Sequence, residues 1–135
     1  LAAIGRAQLG RLDELIGRRR AIRARYVEAL GALDGVRVLG SEADAHFDNC
    51  WLTSIVVDRP GFDVDAVQAS LADQGIEARH LWKPMHLQPV FADAPVVGGA
   101  VSEKLFRTGL NLPSSSTMTD EQQERVIGAL KGHLA

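Results

Sequence analysis

Cys50-Trp51-Leu52-Thr53-Ser54-Ile55-Val56-Val57-Asp58 is rich in β-branched and aromatic residues and is stopped by Pro60-Gly61. Such a run reads as a strand. Asp63 then stands as an N-cap for a helix over 64–74, with Val64, Val67, Ala69 and Leu71 on its apolar side and Gly75 as its stop. Ile76-Glu77-Ala78-Arg79 follows as a second strand. Strand, helix and strand in this order form a βαβ-like unit.

Working outward, residues 1 to about 33 read as one long helix, because Ile4, Leu12, Leu15, Ile16, Ile22, Tyr26 and Leu30 recur at helical spacing. Gly5, Gly10 and Gly17 weaken it locally, and Gly31 with Asp34-Gly35 ends it. Val36-Arg37-Val38-Leu39 is a short strand, followed by a polar loop from Gly40 to Asp48. Downstream, Pro95 to Gly99 is a connection and Ser102 caps a short helix reaching Arg107. Gly109-Leu110-Asn111-Leu112-Pro113 is extended, and Ser114-Ser115-Ser116 is a polar loop. Thr119 and Gln122 form a capping box for a last helix that buries Val126, Ile127 and Leu130. The expected fold is α+β, a small sheet with helices packed on one side and a long N-terminal helix. The expected division is 1–33 as that helix and 34–135 as a small domain.

A chain of 135 residues suits one domain with its own core. The net charge of −2 gives no general reason to expect nucleic acid or an acidic membrane. The charge is uneven: residues 1–30 hold seven arginines against Asp13, Glu14 and Glu28, so this segment is +4 and the remainder −6. Without a basic loop or a row of stacking aromatics beside it, the basic helix reads as a solvated or subunit-facing side rather than a nucleic-acid surface. Cys50 is the only cysteine, so no internal disulfide forms, and its apolar neighbours suit packing rather than reactivity. The chain has neither a secretory h-region nor an apolar segment of membrane length, so the cytoplasm is the expected location. The sequence begins at Leu1, without a methionine and inside a helix, so part of a larger protein is expected.

The densest chemistry lies in Arg79-His80-Leu81-Trp82-Lys83-Pro84-Met85-His86-Leu87-Gln88-Pro89-Val90-Phe91. Arg79 and Lys83 are spaced to reach one phosphate or carboxylate, the arginine as a fork and the lysine as a point charge. They suit surface ion pairs with acids such as Glu77 or Asp93 equally well. Trp82 could stack on a base or sugar, or close the core. His86 could hydrogen-bond a ligand, although a lone loop histidine is more often structural. His80 alternates with Arg79 and should face the other way. Pro84 and Pro89 stiffen the loop and lower the entropic cost of ordering it on binding.

Other motifs are weaker. Ser114-Ser115-Ser116 lacks the glycines of a phosphate cradle. His46 with Asp48 is too sparse for a metal, and nothing resembles a nucleophile elbow or a P-loop. Lys83 beside Trp82 and Pro84 has ingredients for a Schiff base, but its charged surroundings suit anion binding better.

Leu81-Trp82-Lys83-Pro84-Met85-His86-Leu87-Gln88-Pro89-Val90-Phe91 resembles a signature segment of the DegT/DnrJ/StrS family of pyridoxal-phosphate-dependent nucleotide-sugar aminotransferases. Three more segments resemble the family in its order: Ala2-Ala3-Ile4-Gly5-Arg6-Ala7-Gln8-Leu9 with Leu12-Asp13-Glu14, Asn49-Cys50-Trp51-Leu52-Thr53, and Ser102-Glu103-Lys104-Leu105-Phe106 through Gly109 to Ser116. The resemblance implies the C-terminal small domain of a fold-type-I enzyme, with the cofactor domain upstream of Leu1. It implies transfer of an amine from a donor such as glutamate to a keto-sugar nucleotide, and the Trp-Lys-Pro-Met-His form of the loop implies a UDP-4-keto-6-deoxy sugar. It further implies a homodimer, with Arg79, Trp82, Lys83 and His86 facing the substrate. The competing class is a non-catalytic module that binds a nucleotide or sugar phosphate through the same loop.

Lys83, Lys104 and Lys131 are the only lysines, and none has the family's cofactor-lysine context. The isolated chain is therefore expected to be catalytically silent. Mixed with pyridoxal phosphate, it should show neither an aldimine absorbance nor amino transfer, and a separate sample reduced with borohydride should show no stoichiometric lysine adduct by intact mass.

Overall fold

Helical periodicity at the N-terminus breaks at Gly10. The computed structural model describes residues 2–40 and 48–134, and it begins with α1 (Ala2–Leu9) and α2 (Leu12–Leu30) in place of the single helix expected over 1–33. The Gly10 amide donates to Arg6 O and the Arg11 amide to Gln8 O, each at 3.1 Å, which closes α1 in a tight turn. Leu15 then donates to Arg11 O at 3.0 Å and opens α2. Glycine is a poor helix former, and α1 has no buried residue to hold it in line. Ile4, Leu9 and Leu12 are exposed, whereas Ile22, Tyr26 and Leu30 anchor α2 in the core.

The sheet comprises β1 (Val36–Val38), β2 (Thr53–Val57), β3 (Arg79–His80) and β4 (Gly109–Leu112), in the order β1-β2-β4-β3 with every neighbour antiparallel. β2 and β3 are consequently parallel, with β4 inserted between them. The βαβ-like unit read from sequence is thus a split one, whose crossover is α3 (Val64–Asp73). Its boundaries also shift. Asp48 Oδ1 accepts the Cys50 amide at 2.7 Å and Asn49 Oδ1 the Trp51 amide at 3.0 Å, with Cys50 at φ 50°, so the ladder starts at Thr53 rather than Cys50. In the second strand, Ile76 donates to Leu71 O at 2.9 Å and Ala78 O accepts from Gln68 Nε2 at 3.0 Å. With those groups engaged by α3, only Arg79 and His80 pair with β4.

One face of the sheet, with Val36, Val38, Ile55, Val57, Leu110 and Leu112, packs against α2, α3 and α5 (Asp120–Leu134). This is the helical layer expected. Val56 and Gly109 pair on the opposite face, where α4 (Ala100–Thr108) lies. A Cβ at Gly109 would come within 2.3 Å of Leu81 Cδ1 and 2.6 Å of Leu105 O, so only glycine allows this close seat.

The local caps are mostly those read from sequence. Asp63 accepts the Asp65 and Ala66 amides. Thr119 and Gln122 make both bonds of the capping box, at 2.9 and 3.2 Å. Ser102 is the exception: α4 starts at Ala100 after Gly99, and the Ser102 hydroxyl donates back to Gly99 O at 2.9 Å. Most of the Gly40–Asp48 loop, including His46, lies outside the described residues.

Three arginines of the basic helix fasten other parts of the fold. Arg23 pairs with Asp48 and donates to Leu52 O at 3.2 Å. Arg20 donates to Asp48 O at 3.2 Å, and Arg25 pairs with Asp120 and Glu124 on α5 at 2.9 and 2.6 Å. Cys50 is buried, in keeping with a packing role. The Asp48 carboxyl is held below the usual carboxylate range, first by the Cys50 amide and then by Arg23 against opposing burial. A depressed pKa contributes stability above the ordinary carboxylate pKa of about 4 and loses it as pH falls through the folded value. Asp48→Asn keeps an acceptor for the Cys50 amide but loses the charge facing Arg23, and should therefore lower the melting temperature near neutral pH, at a cost of about 1 kcal/mol or less for a pair this open to solvent. The difference from wild type should shrink below about pH 4, as thermal melts over a pH series would show.

Candidate functional site

Antiparallel register places Ser54, Asn111 and Arg79 in one row across β2, β4 and β3. Side chains alternate between sheet faces, so this row points away from the core set of Ile55 and Leu110. The Ser54 hydroxyl donates to Asn111 Oδ1 at 2.6 Å, and Asn111 Nδ2 donates to the His80 carbonyl at 3.0 Å. Arg79 is exposed and holds Glu77 through Nε at 2.9 Å and through a second, shorter contact. A pocket of about 420 Å³ opens here, lined among others by Arg19, Trp51, Arg79, Asn111, Ser114 and Ser115. It sits where β2 begins, β4 ends and β3 begins.

Trp82 does not close the core. It is 67% exposed, and its ring centroid lies 6.4 Å from that of Trp51, itself 61% exposed, at a tilt of 48°. Two uncovered indoles beside a polar row form a flat wall for a ring-bearing ligand. Lys83 is exposed, and its side chain has no ion pair or hydrogen bond among the described residues. Arg79, Trp82 and Lys83 thus occupy one stretch of chain leaving β3 toward this surface.

His86 stands apart from them. It lines a different hollow, with Met85, Phe91 and Val96. Its Nε2 lies 2.9 Å from Glu103 Oε1 on α4, and Glu103 also accepts from Arg107 at 3.2 Å. The His86 hydrogen bond, followed by Arg107, holds the Glu103 carboxyl below the usual range. Gly99, at φ +108°, lets the imidazole seat: a Cβ there would be 2.8 Å from His86 Cε1. His86 therefore clamps the loop to α4. His80, facing the other way from Arg79 as alternation requires, lies 2.9 Å from Asp65 Oδ1 and packs on Phe106.

Lys83 and Lys131 are exposed, and exposed Lys104 pairs with Asp58 at 2.7 Å. The described residues contain no group of three or more metal-ligating side chains. No described helix is long and apolar enough to cross a membrane. Sequence reading missed Trp51, Asn111 and Arg19. Trp51 carries one usable signal, since it stands beside Asn49 in a turn-forming stretch. Asn111 and Arg19 join the site only through register and helix placement.

Comparison with known proteins agrees with this architecture. Residues 1–131 match the DegT/DnrJ/EryC1/StrS aminotransferase family. A Bacillus subtilis (strain 168) protein, EpsN, described as a pyridoxal phosphate-dependent aminotransferase, is 48% identical over 96% of this chain and 34% of its own length. GDP-perosamine synthase of Vibrio cholerae is 32% identical over 98% of this chain and 36% of its own. The crystal structure of the aminotransferase TlmJ from Streptoalloteichus hindustanus superposes with a TM-score of 0.86 at 30% identity, covering 98% of this chain and 35% of TlmJ. The chain thus spans about a third of the length of the relatives it matches. With the family's segments in order and its fold reproduced, the chain belongs to the DegT/DnrJ/EryC1/StrS aminotransferase family, which uses pyridoxal phosphate.

Proposed function

We propose that this chain is the C-terminal substrate-binding portion of a pyridoxal-phosphate-dependent aminotransferase that moves an amine from glutamate to a keto-sugar nucleotide. The observation that carries the reading is the open sheet face, where the Ser54–Asn111–Arg79 row and Trp51 line one pocket and Trp82 stands against Trp51, with exposed Lys83 next to it in the chain. Bound by the rest of the enzyme, the cofactor supplies the amine-carrying chemistry. The residues of this chain bind and orient the sugar nucleotide that receives the amine.

Arg79 and Lys83 neutralise the diphosphate, and Trp82 with Trp51 supplies the wall for the sugar or base. Arg79 exchanges an exposed pairing with Glu77 for the ligand, which costs little because exposed ion pairs contribute only about 0–1 kcal/mol. His86 holds the loop at the right height through Glu103 rather than offering Nε2 to the sugar. In finer detail the reading is a UDP-linked 4-keto-6-deoxy sugar, on the Trp82-Lys83-Pro84-Met85-His86 form of the loop. Residues 1–33 form the helical link to a cofactor domain and 34–135 the small domain. The enzyme works as a cytoplasmic homodimer, without nucleic acid or membrane as a partner.

Steady-state kinetics on the full-length enzyme, varying each substrate in turn, tests this reading. Losing a charge-assisted hydrogen bond worth about 1.5–3 kcal/mol weakens binding roughly ten- to a hundred-fold. Lys83→Ala and Arg79→Ala should raise KM for the sugar nucleotide by that order and leave KM for glutamate nearly unchanged. An unchanged sugar-nucleotide KM in both variants would refute the site. UDP- and GDP-linked keto sugars offered in competition decide the base.

Glu103→Gln supplies a second expectation. The neutral amide keeps the shape but weakens the hold on His86, so KM for the sugar nucleotide should rise several-fold while the cofactor spectrum stays as in wild type. Faster amide hydrogen exchange across residues 81–91 should accompany it.

A further inference from the structure

The 420 Å³ pocket over the sheet does not stand alone. A second hollow, of about 410 Å³, adjoins it, and Glu77, Pro113, Ser114 and Ser115 line both. The second hollow opens where the α3–β3 turn and the chain leaving β4 meet the first turns of α5. Ile76, Met118 and Val126, all buried, give it an apolar lining. Thr117, Gln122 and Arg125 add polar groups. Gln122 Oε1 accepts the Thr119 amide at 2.9 Å, which commits its carbonyl and leaves its amino group to donate. Arg125 donates to Gln74 O and ties α5 to the turn after α3. An apolar lining with a few polar groups is the usual make-up of a site for a small organic molecule.

Glu77 stands at the seam between the two hollows. Both bonds from Arg79 fall on its Oε1. When Arg79 turns to a diphosphate, that carboxylate is left beside a polyanion without its donor. An ionised carboxylate only accepts hydrogen bonds, so the ligand itself must bring the donors. In a sugar nucleotide the hydroxyls flanking the diphosphate belong to the hexose on one side and to the ribose on the other. The paired indoles suit the flat face of the hexose. Trp51 precedes β2 and Glu77 precedes β3, with β4 between those strands, so Glu77 and the second hollow lie across the sheet from Trp51.

We propose that the second hollow takes the nucleoside, and that Glu77 accepts from the ribose 2′,3′-diol and so selects ribonucleotide over 2′-deoxyribonucleotide sugars. The inference rests on the reading of the adjoining pocket as the sugar-nucleotide site and deepens it. A carboxylate serves the same diol in dinucleotide-binding folds. The base lies on Ile76, Met118 and Val126, with the Gln122 amino group at its edge.

The test uses the full-length, cofactor-loaded enzyme, with nucleoside diphosphates as inhibitors competing with the sugar nucleotide: UDP against dUDP, and GDP against dGDP. For the base that binds more tightly, wild type should hold the ribo form roughly ten- to a hundred-fold better than the deoxy form, the loss of one hydrogen bond to a charged acceptor. Glu77→Ala should bring the two forms within about two-fold of each other, and Glu77→Gln should keep part of the preference. Arg79→Ala should weaken both forms and preserve their ratio, which separates a contact to the diol from a mere hold on Arg79. Thr117→Trp, which fills the second hollow from an exposed position outside the first, should weaken both forms by roughly ten-fold or more and leave KM for glutamate unchanged. A wild-type ratio near one, or a ratio that survives Glu77→Ala, would overturn the role of Glu77. Unaltered inhibition in Thr117→Trp would overturn the placement of the nucleoside. Either result leaves the sugar-nucleotide reading standing, whereas a wild-type enzyme that none of the four nucleotides inhibits would refute that reading and this inference together.

Discussion

Backbone pairing of β4 with both β2 and β3 puts Asn111 between Ser54 and Arg79, and that register governs what the open face presents. A slip of one residue along β4 would exchange its faces. Asn111 would turn toward the helices, and Leu110 or Leu112 would be exposed to water. Both leucines are almost wholly buried against α2, α3 and α5. Burying a leucine is worth about 1.5–3 kcal/mol, so the apolar side of β4 fixes the register and the polar side inherits its alignment. The site's geometry is in this sense a by-product of the core.

The same logic explains the arginines of α2. A surface helix that were basic all round would be a candidate for binding polyanions. Here Arg23 and Arg20 hold the segment from Asp48 to Leu52, and Arg25 holds the start of α5. Two of the fold's long-range seams are thus fastened from one helix. The Asp48 seam also shapes the site, because the turn at Asp48–Cys50 carries Trp51 out of the strand and toward Trp82.

Features fixed within a few residues were legible in the sequence. The Asp63 cap, the Thr119–Gln122 box, the start of α3 and the buried face of α5 all depend on spacings of three or four residues. The family's segments were legible too, since they are contiguous. Three features were not. The Gly10 break depends on α1 having nothing to pack against. The shortened strands depend on Asp48, Asn49 and Gln68 side chains and the Leu71 carbonyl competing for backbone groups. The His86–Glu103 clamp joins residues 17 positions apart, and no local pattern announces it. Arg79, Trp82 and Lys83 were found by the density of their chemistry. Arg19 was hidden among seven arginines, and only the folded chain places it in the lining of the pocket.

The division of labour in the fold follows from these contacts. The core is built mostly by leucines, valines and isoleucines that carry no chemistry, and the lysines stand exposed. What the domain offers is a polar row, an aromatic wall and two arginines in the lining of one opening. Such a surface selects and orients. Orientation is itself a large part of catalysis, because holding a reactant in place converts an encounter into an intramolecular step. On the proposed reading, a domain that only binds and orients still sets which sugar reacts, provided that its loop is stiff. Here Pro84 is buried, His86 is clamped to Glu103, and Gln88 Nε2 donates to the Lys83 carbonyl at 3.3 Å, so the loop bearing Trp82 and Lys83 is braced at three points before any ligand arrives.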